Sequence, residues 1–222
     1  MLSSPSSVDV VDAVEASPQP RTRGFVRPTN VPRTIFHFGS GLVTLVLIRV
    51  LSREGLIVAA CVFALSAWSC EVTRRLSPAF NARLMRVVKR FAHAHEWRKV
   101  NSATWYGTAL MVMAFVMPLE AAEVGVVVLA LADPMAGIIG RRFGRHRLAS
   151  GRSLEGALAF ACTGTLASLA WMHTMGTFDG SRLAVGLAAG IIGALIELFV
   201  SIDDNFAIPL GTAAAVLLVV SF

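Results

Sequence analysis

Seven apolar runs separated by short polar connections leave this chain few ways to fold. They extend from about Ile35 to Leu51, Leu56 to Cys70, Ala103 to Met117, Val124 to Gly140, Ala157 to Met175, Leu183 to Val200 and Phe206 to Phe222. A helix rises ~1.5 Å per residue and the hydrocarbon core of a bilayer is ~30 Å thick, so runs of this length are near what a crossing requires. Composition agrees: 55% of residues are hydrophobic and 15% charged, and the mean hydropathy is +0.66, more apolar than any soluble core of this size needs. The expected fold is all-α, a polytopic integral membrane bundle of about seven transmembrane helices.

The polar segments give this bundle a direction. Residues 1–30 are rich in Ser and Pro and lack a secretory h-region, which predicts a disordered cytoplasmic tail ahead of a membrane domain over 31–222. From Glu71 to Asn101 the chain turns basic, and Leu84, Val87, Val88 and Phe91 alternate at helical spacing with Arg83, Arg86, Lys89 and Arg90, the pattern of an amphipathic helix lying in the interface. His93 and His95 stand two apart and point to different sides of such a helix, which argues against a metal pair. Alternating the crossings puts the tail, 71–101, 141–155 and 201–205 on one face. That face holds all of the 20 basic residues except Arg49, Arg53 and Arg182, so the positive-inside rule makes it cytoplasmic. Aromatic residues are not interleaved with these charges as stacking platforms, and the net charge of +6 reads as topology and phosphate-bearing ligands, with no nucleic-acid partner. Cys61, Cys70 and Cys162 fall within apolar runs and read as reduced, buried packing residues. Nothing in the sequence specifies an oligomeric state.

The stretch Leu131–Gly156, LADPMAGIIGRRFGRHRLASGRSLEG, is where chemistry concentrates. A carboxylate inside an apolar run is costly and tends to face a protein interior, a water-filled cavity or an ion. Pro134 removes a backbone donor and disfavours helix at Asp133, so the pair predicts a helix break with Asp133 as N-cap and Pro134 at the first position of a new half-helix. Gly137, Gly140 and Gly144 then recur at helical spacing, leaving a face bare of side chains for another helix or a ligand. Arg141, Arg142, Arg145, Arg147 and Arg152 supply donors suited to phosphate oxygens, and Asp133 suits the divalent cation that accompanies a nucleoside triphosphate. The chemistry indicated is phosphoryl or nucleotidyl transfer; basic loops and glycine faces also arise from topology and packing alone.

Other carboxylates fall at the same face. Glu96, Asp133, Glu155 and the triplet Asp203, Asp204 and Asn205 all lie at cytoplasmic ends of segments, with Glu197 deeper in the sixth run. Singly, Asp203 or Asp204 could cap a helix and Glu155 could favour a helix start.

These residues resemble a family. ADPMAGIIGRRFGRHRL followed by GRSLEG, then ELFVSIDDNFAIPL, is similar to the signature of the polyprenol kinases, which include dolichol kinase, phytol kinase and the CTP-dependent diacylglycerol kinase. RTIFHFGSG, with His37, and HEWRKVNSATWYG, with Glu96, resemble further family segments. The resemblance implies an integral membrane kinase that moves the terminal phosphoryl group of CTP to a lipid alcohol (a polyprenol, phytol or diacylglycerol) with Mg2+ or another divalent cation. It implies nucleotide contacts at Gly137, Gly140, Arg141, Arg142, Gly144, Arg152, Ser153, Glu155 and Gly156, metal ligands at Asp133 and Asp204, and roles for Glu197 and Asn205. Asp133, Asp203 and Asp204 are the catalytic candidates, one of the last two orienting or deprotonating the lipid hydroxyl. Ala132 replaces the family's usual Gly, and Arg152 its usual Lys, a planar fork in place of a point charge. A CDP-lipid-forming cytidylyltransferase and an ion-coupled transporter are the alternatives. No Gly-x-x-x-x-Gly-Lys-Ser/Thr loop is present, which argues against a P-loop kinase.

Overall fold

The helix from Leu119 to Phe143 is buried along most of its length, from Ala121 to Ala130 without interruption and again at Ala132 and Ala136. A helix apolar on every side belongs at the centre of a bundle, and the other helices are arranged around it. The computed structural model describes residues 31–88, 100–148 and 150–221. In chain order the helices are α1 (Val31–Val50), α2 (Arg53–Leu76), α3 (Pro78–Val88), α4 (Ser102–Val116), α5 (Leu119–Phe143), α6 (Leu154–Met175), α7 (Arg182–Phe199) and α8 (Asp204–Val220). Among the described residues β structure is limited to an isolated bridge between Arg147 and Ser153. The protein is an all-helical integral membrane protein. α2, α5, α6 and α7 are long and apolar enough to cross a bilayer, and α1, α4 and α8 contribute shorter apolar stretches.

Packing around α5 relies on close backbone approach. α6, α8 and α1 lie directly on it, and α7 closes the ring between α6 and α8. A Cβ at Gly125 would stand 2.4 Å from the Pro209 carbonyl oxygen of α8, and one at Gly190 would stand 2.4 Å from the Ala161 carbonyl of α6. With no hydrophobic drive between helices in lipid, such small-residue contacts supply the van der Waals packing. Outward-facing positions are apolar, as at Leu158, Leu166, Leu183 and Ile191, and Cys162 is exposed among them. That corrects the expectation of a buried thiol: the run is apolar because lipid, not protein, covers that side.

Two boundaries differ from the sequence reading. α5 is continuous through Asp133 and Pro134, with no break and no N-cap there. Pro134 withholds one helical hydrogen bond, whereas a break would orphan several N–H and C=O groups within the bundle, each costing several kcal/mol without water; losing one bond is the smaller penalty. α2 runs on through Leu76, beyond the expected end at Cys70. Its added turn is sustained by Glu71, which is buried and accepts hydrogen bonds from Arg74 and Arg75 at 2.8 Å, the i,i+3 and i,i+4 spacings at which helical side chains meet. Of the expected interfacial helix the structure describes α3; Phe91, His93, His95 and Glu96, like the tail over 1–30, lie outside the described residues.

Candidate active site

Four helix starts converge at one end of the bundle. Asn101 caps α4, its side chain accepting from the Ala103 N–H at 2.8 Å. Ser153 caps α6 by accepting from Gly156 at 3.1 Å, Asp203 caps α8 by accepting from Asn205 at 3.0 Å, and α1 starts there as well. The link between α4 and α8 is direct: Ser102 Oγ donates to Asp203 Oδ2 at 3.2 Å. Helix N-termini carry partial positive charge and unpaired N–H groups, the local setting that binds anions.

Into this end α5 brings Asp133, Gly137 and Arg141, spaced by fours and therefore on one face. A Cβ at Gly137 would lie 3.0 Å from Arg141 Nη1, so the missing side chain is what lets the Arg141 guanidinium fold back along the helix toward Asp133. His37 of α1 meets the same place. Its Nε2 lies 3.1 Å from the Leu129 carbonyl oxygen and 3.9 Å from Asp133 Oδ2. Gly41, one turn on, lets α1 sit against Ala130, whose Cβ would be 2.5 Å from a side chain there.

The loop between α5 and α6 supplies Arg152. Its Nη2 lies 2.8 Å from both oxygens of Asp204 and its Nε 3.4 Å from Glu197 Oε1, tying the loop to the end of α7 and the start of α8. Burial works against charge on Arg152, and the carboxylates of Asp204, Glu197 and Asp133 outweigh it, holding its pKa above the ordinary arginine value. Two guanidinium groups nonetheless keep buried nitrogens with no hydrogen-bond partner, Nε of Arg141 and Nη1 of Arg152. Such orphans are costly and rare, and an anion with several acceptor oxygens would satisfy both.

Charge also bears on a cation. Asp133, Glu197 and Asp204 act on Arg152, and Asp133 also on Arg141, an excess of carboxylate. Among the described residues no three His, Cys, Asp or Glu side chains gather into a ready metal cage. Mg2+ does not need one: it is usually held by one or two carboxylates together with substrate phosphates and water, and Asp133, beside the unpaired Arg141 nitrogen, fits that role. Asp204 fits less well, since Arg152 occupies both its oxygens.

The remaining sequence candidates divide. Gly140, Gly144 and Gly156 surround Ser153, and a Cβ at these positions would come within 2.9, 2.6 and 3.1 Å of its Oγ; here the bare glycine face receives the first turn of α6. Glu155 holds the loop, accepting from the His146 backbone N–H at 3.2 Å with His146 Nδ1 at 2.7 Å. Arg142, Arg145 and Arg147 are exposed, with Arg142 over the Phe143 ring. Asn205 Nδ2 donates to Asp203 Oδ1 at 2.8 Å. The sequence reading gave no part to Ser102 or Glu71. Asn101-Ser102 ahead of an apolar run is an N-cap signal that marks the first; no local pattern marks Glu71, whose Oε2 lies 3.4 Å from the Asn101 N–H across thirty residues of chain.

Similarity to known proteins converges on one chemistry. The chain is 27% identical over 221 residues to CTP-dependent diacylglycerol kinase 1 of Eremothecium gossypii, covering 89% of this chain and 69% of that one. It is 36% identical over 97 residues to the chloroplastic farnesol kinase of Arabidopsis thaliana, covering 39% of this chain and 32% of that one. A phytol kinase of Synechocystis is 31% identical over 96 residues, 41% of each. No protein-family model and no solved structure matches the chain.

Proposed function

We propose, from the place of this chain in the family of CTP-dependent diacylglycerol, farnesol and phytol kinases, that it is a membrane lipid kinase transferring the terminal phosphoryl group of CTP to a lipid alcohol. The observation that carries the proposal to particular residues is the convergence of Asp133, Arg141, Arg152 and Asp203 at an end where helix N-termini meet and two buried guanidinium nitrogens lack partners. By the charge distribution this end faces the cytoplasm, where the nucleotide is.

Phosphoryl transfer asks the protein for position and charge neutralisation more than for covalent chemistry. Arg141 and Arg152 hold the phosphate oxygens, each keeping one N–H for them, and the N-termini of α6 and α8 add partial positive charge. Asp133 would hold Mg2+, which when bound neutralises charge developing on the phosphates. Asp203, rather than Asp204, receives the acceptor: its partners Ser102 and Asn205 are neutral and leave its charge uncompensated, whereas Asp204 is paired with the Arg152 cation. Its carboxylate accepts the hydrogen bond of the lipid hydroxyl and orients that oxygen toward the terminal phosphorus. The new P–O bond forms as the bond to the CDP leaving group breaks, and the hydroxyl proton passes to the Asp203 carboxylate.

The test is purified protein in detergent with a lipid alcohol, Mg2+ and CTP labelled either in its terminal phosphate or in cytidine. Label from the terminal phosphate enters the lipid. Cytidine label in the lipid product would instead indicate cytidylyl transfer.

A further inference from the structure

Beside the site the bundle is incompletely filled. α1 packs on α5 and α2 on α4, while α1 and α2 barely meet. Between them lies a cavity of about 980 Å³. Its wall is apolar along its length, formed by Val43 and Leu47 of α1, Ala60 and Phe63 of α2, and Leu110 and Met113 of α4. Polar residues within it are turned on the protein itself: Ser40 donates to the His37 carbonyl at 2.9 Å, and the Thr44 hydroxyl lies 2.9 Å from the Tyr106 hydroxyl.

One end differs. His37, Asn101, Ser102 and Asn205 line it, and these residues lead into the carboxylates: Ser102 donates to Asp203, and His37 lies 3.9 Å from Asp133. The other end is closed by Leu56, Leu119 and Ala122. From His37 to Ile48, α1 covers roughly 16 Å at ~1.5 Å per residue, close to one leaflet of a ~30 Å hydrocarbon core. The space is ample for a lipid chain of farnesyl or phytyl length, since a water-sized group needs only roughly 10–15 Å³ of such volume.

We infer that this cavity is the acceptor site, entered sideways from the bilayer between α1 and α2, and that it holds an apolar chain of the lipid alcohol along α1. The chain lies along α1 with its far end at Ile48 and Leu56, and the hydroxyl stops at Ser102 and Asp203. The inference rests on the kinase reading for what becomes of the hydroxyl, and on the cavity alone for where the chain binds.

A farnesol carrying a photoreactive diazirine at its chain terminus tests it on the full-length protein in detergent. Cross-links should fall on the far-end residues of α1, α2 and the start of α5, and excess unlabelled phytol should compete for them. Ala60→Phe and Leu47→Trp fill the cavity from opposite walls, so a folding defect in one leaves the other informative. Either should reduce cross-linking roughly tenfold or more while CTP binding by calorimetry stays at the wild-type value. Cross-links confined to the outer faces of α6 or α7, no competition by phytol, or unchanged cross-linking in both filled variants would each overturn the inference. The two readings separate cleanly. Cross-linking as described with no phosphate transferred from any nucleotide sinks the kinase and leaves the site; phosphorylation of farnesol at the wild-type rate by both filled variants sinks the site and leaves the kinase.

Discussion

Arg152 shows how much one side chain can tie together. It reaches Asp204 through a single nitrogen and Glu197 through another, so it closes the loop onto two helices as well as offering Nη1 to a ligand. Arg152→Ala leaves two carboxylates without their cation, and the protein should lose about 1–3 kcal/mol of stability together with its kinase activity, as read by thermal inactivation in detergent. Arg152→Lys restores the charge but not the fork; it should recover part of the stability and raise the KM for CTP. A lysine variant indistinguishable from wild type would mean that the planar geometry is unused. Ser102→Ala removes one donor from Asp203, and the expected outcome is a higher KM for the lipid with CTP binding unchanged, measured by initial rates. Asp133, Arg152 and the Asp203-Asp204 pair stood out as candidates in the sequence because ionised groups in or beside apolar runs are costly, and Asp203 also serves as the cap of α8. Their partners were not. Pairing across fifty or a hundred residues, as between Arg152 and Asp204 or Ser102 and Asp203, depends on which helix ends meet, and no periodicity encodes that.

At the level of elements, the apolar runs located the helices well, since lipid on the outside and protein on the inside both select the same side chains. The ends were harder to place. Pro134 looked like a punctuation mark because proline usually ends helices in water, but within a bundle the alternative to a strained helix is a set of unsatisfied backbone groups. Pro134→Ala adds a donor to a helix that is already continuous, so its thermal stability should equal or exceed that of wild type; a loss of more than about 1 kcal/mol would indicate that proline starts a helix there. Gly125→Ala probes the opposite kind of site. Its Cβ would meet the Pro209 carbonyl at 2.4 Å, and overpacking of this sort costs typically ~1–3 kcal/mol, seen as a lower midpoint of thermal inactivation. The glycines after Asp133 teach a related lesson: spacing by threes and fours announced a close approach, and only the packed bundle distinguishes Arg141 lying over Gly137 from Ser153 lodged against Gly140 and Gly144.

For the whole molecule the polarity of the bundle is the central feature. Acids, arginines and helix N-termini gather at one end, and the cavity between α1 and α2 opens onto them from the side. The other end holds a separate buried contact, Glu123 with Arg49 and with Trp171 Nε1 at 3.0 Å, which fastens α1, α5 and α6 to one another. Charge asymmetry sets the expected orientation: single cysteines introduced near Gly180 should react with an impermeant reagent added outside intact cells, and those near Arg147 or Asp203 should not. External labelling of the Arg147 loop would invert the topology and put the site on the side without nucleotide. The most direct test of the account joins that polarity to chemistry at Asp133. With terminal-phosphate-labelled CTP, Mg2+ and farnesol, lipid phosphate formed per folded molecule should fall about 100- to 1000-fold in Asp133→Asn, while expression and thermal stability hold because a costly charge has been removed from an apolar setting. Turnover by Asp133→Asn near the wild-type rate would contradict the account.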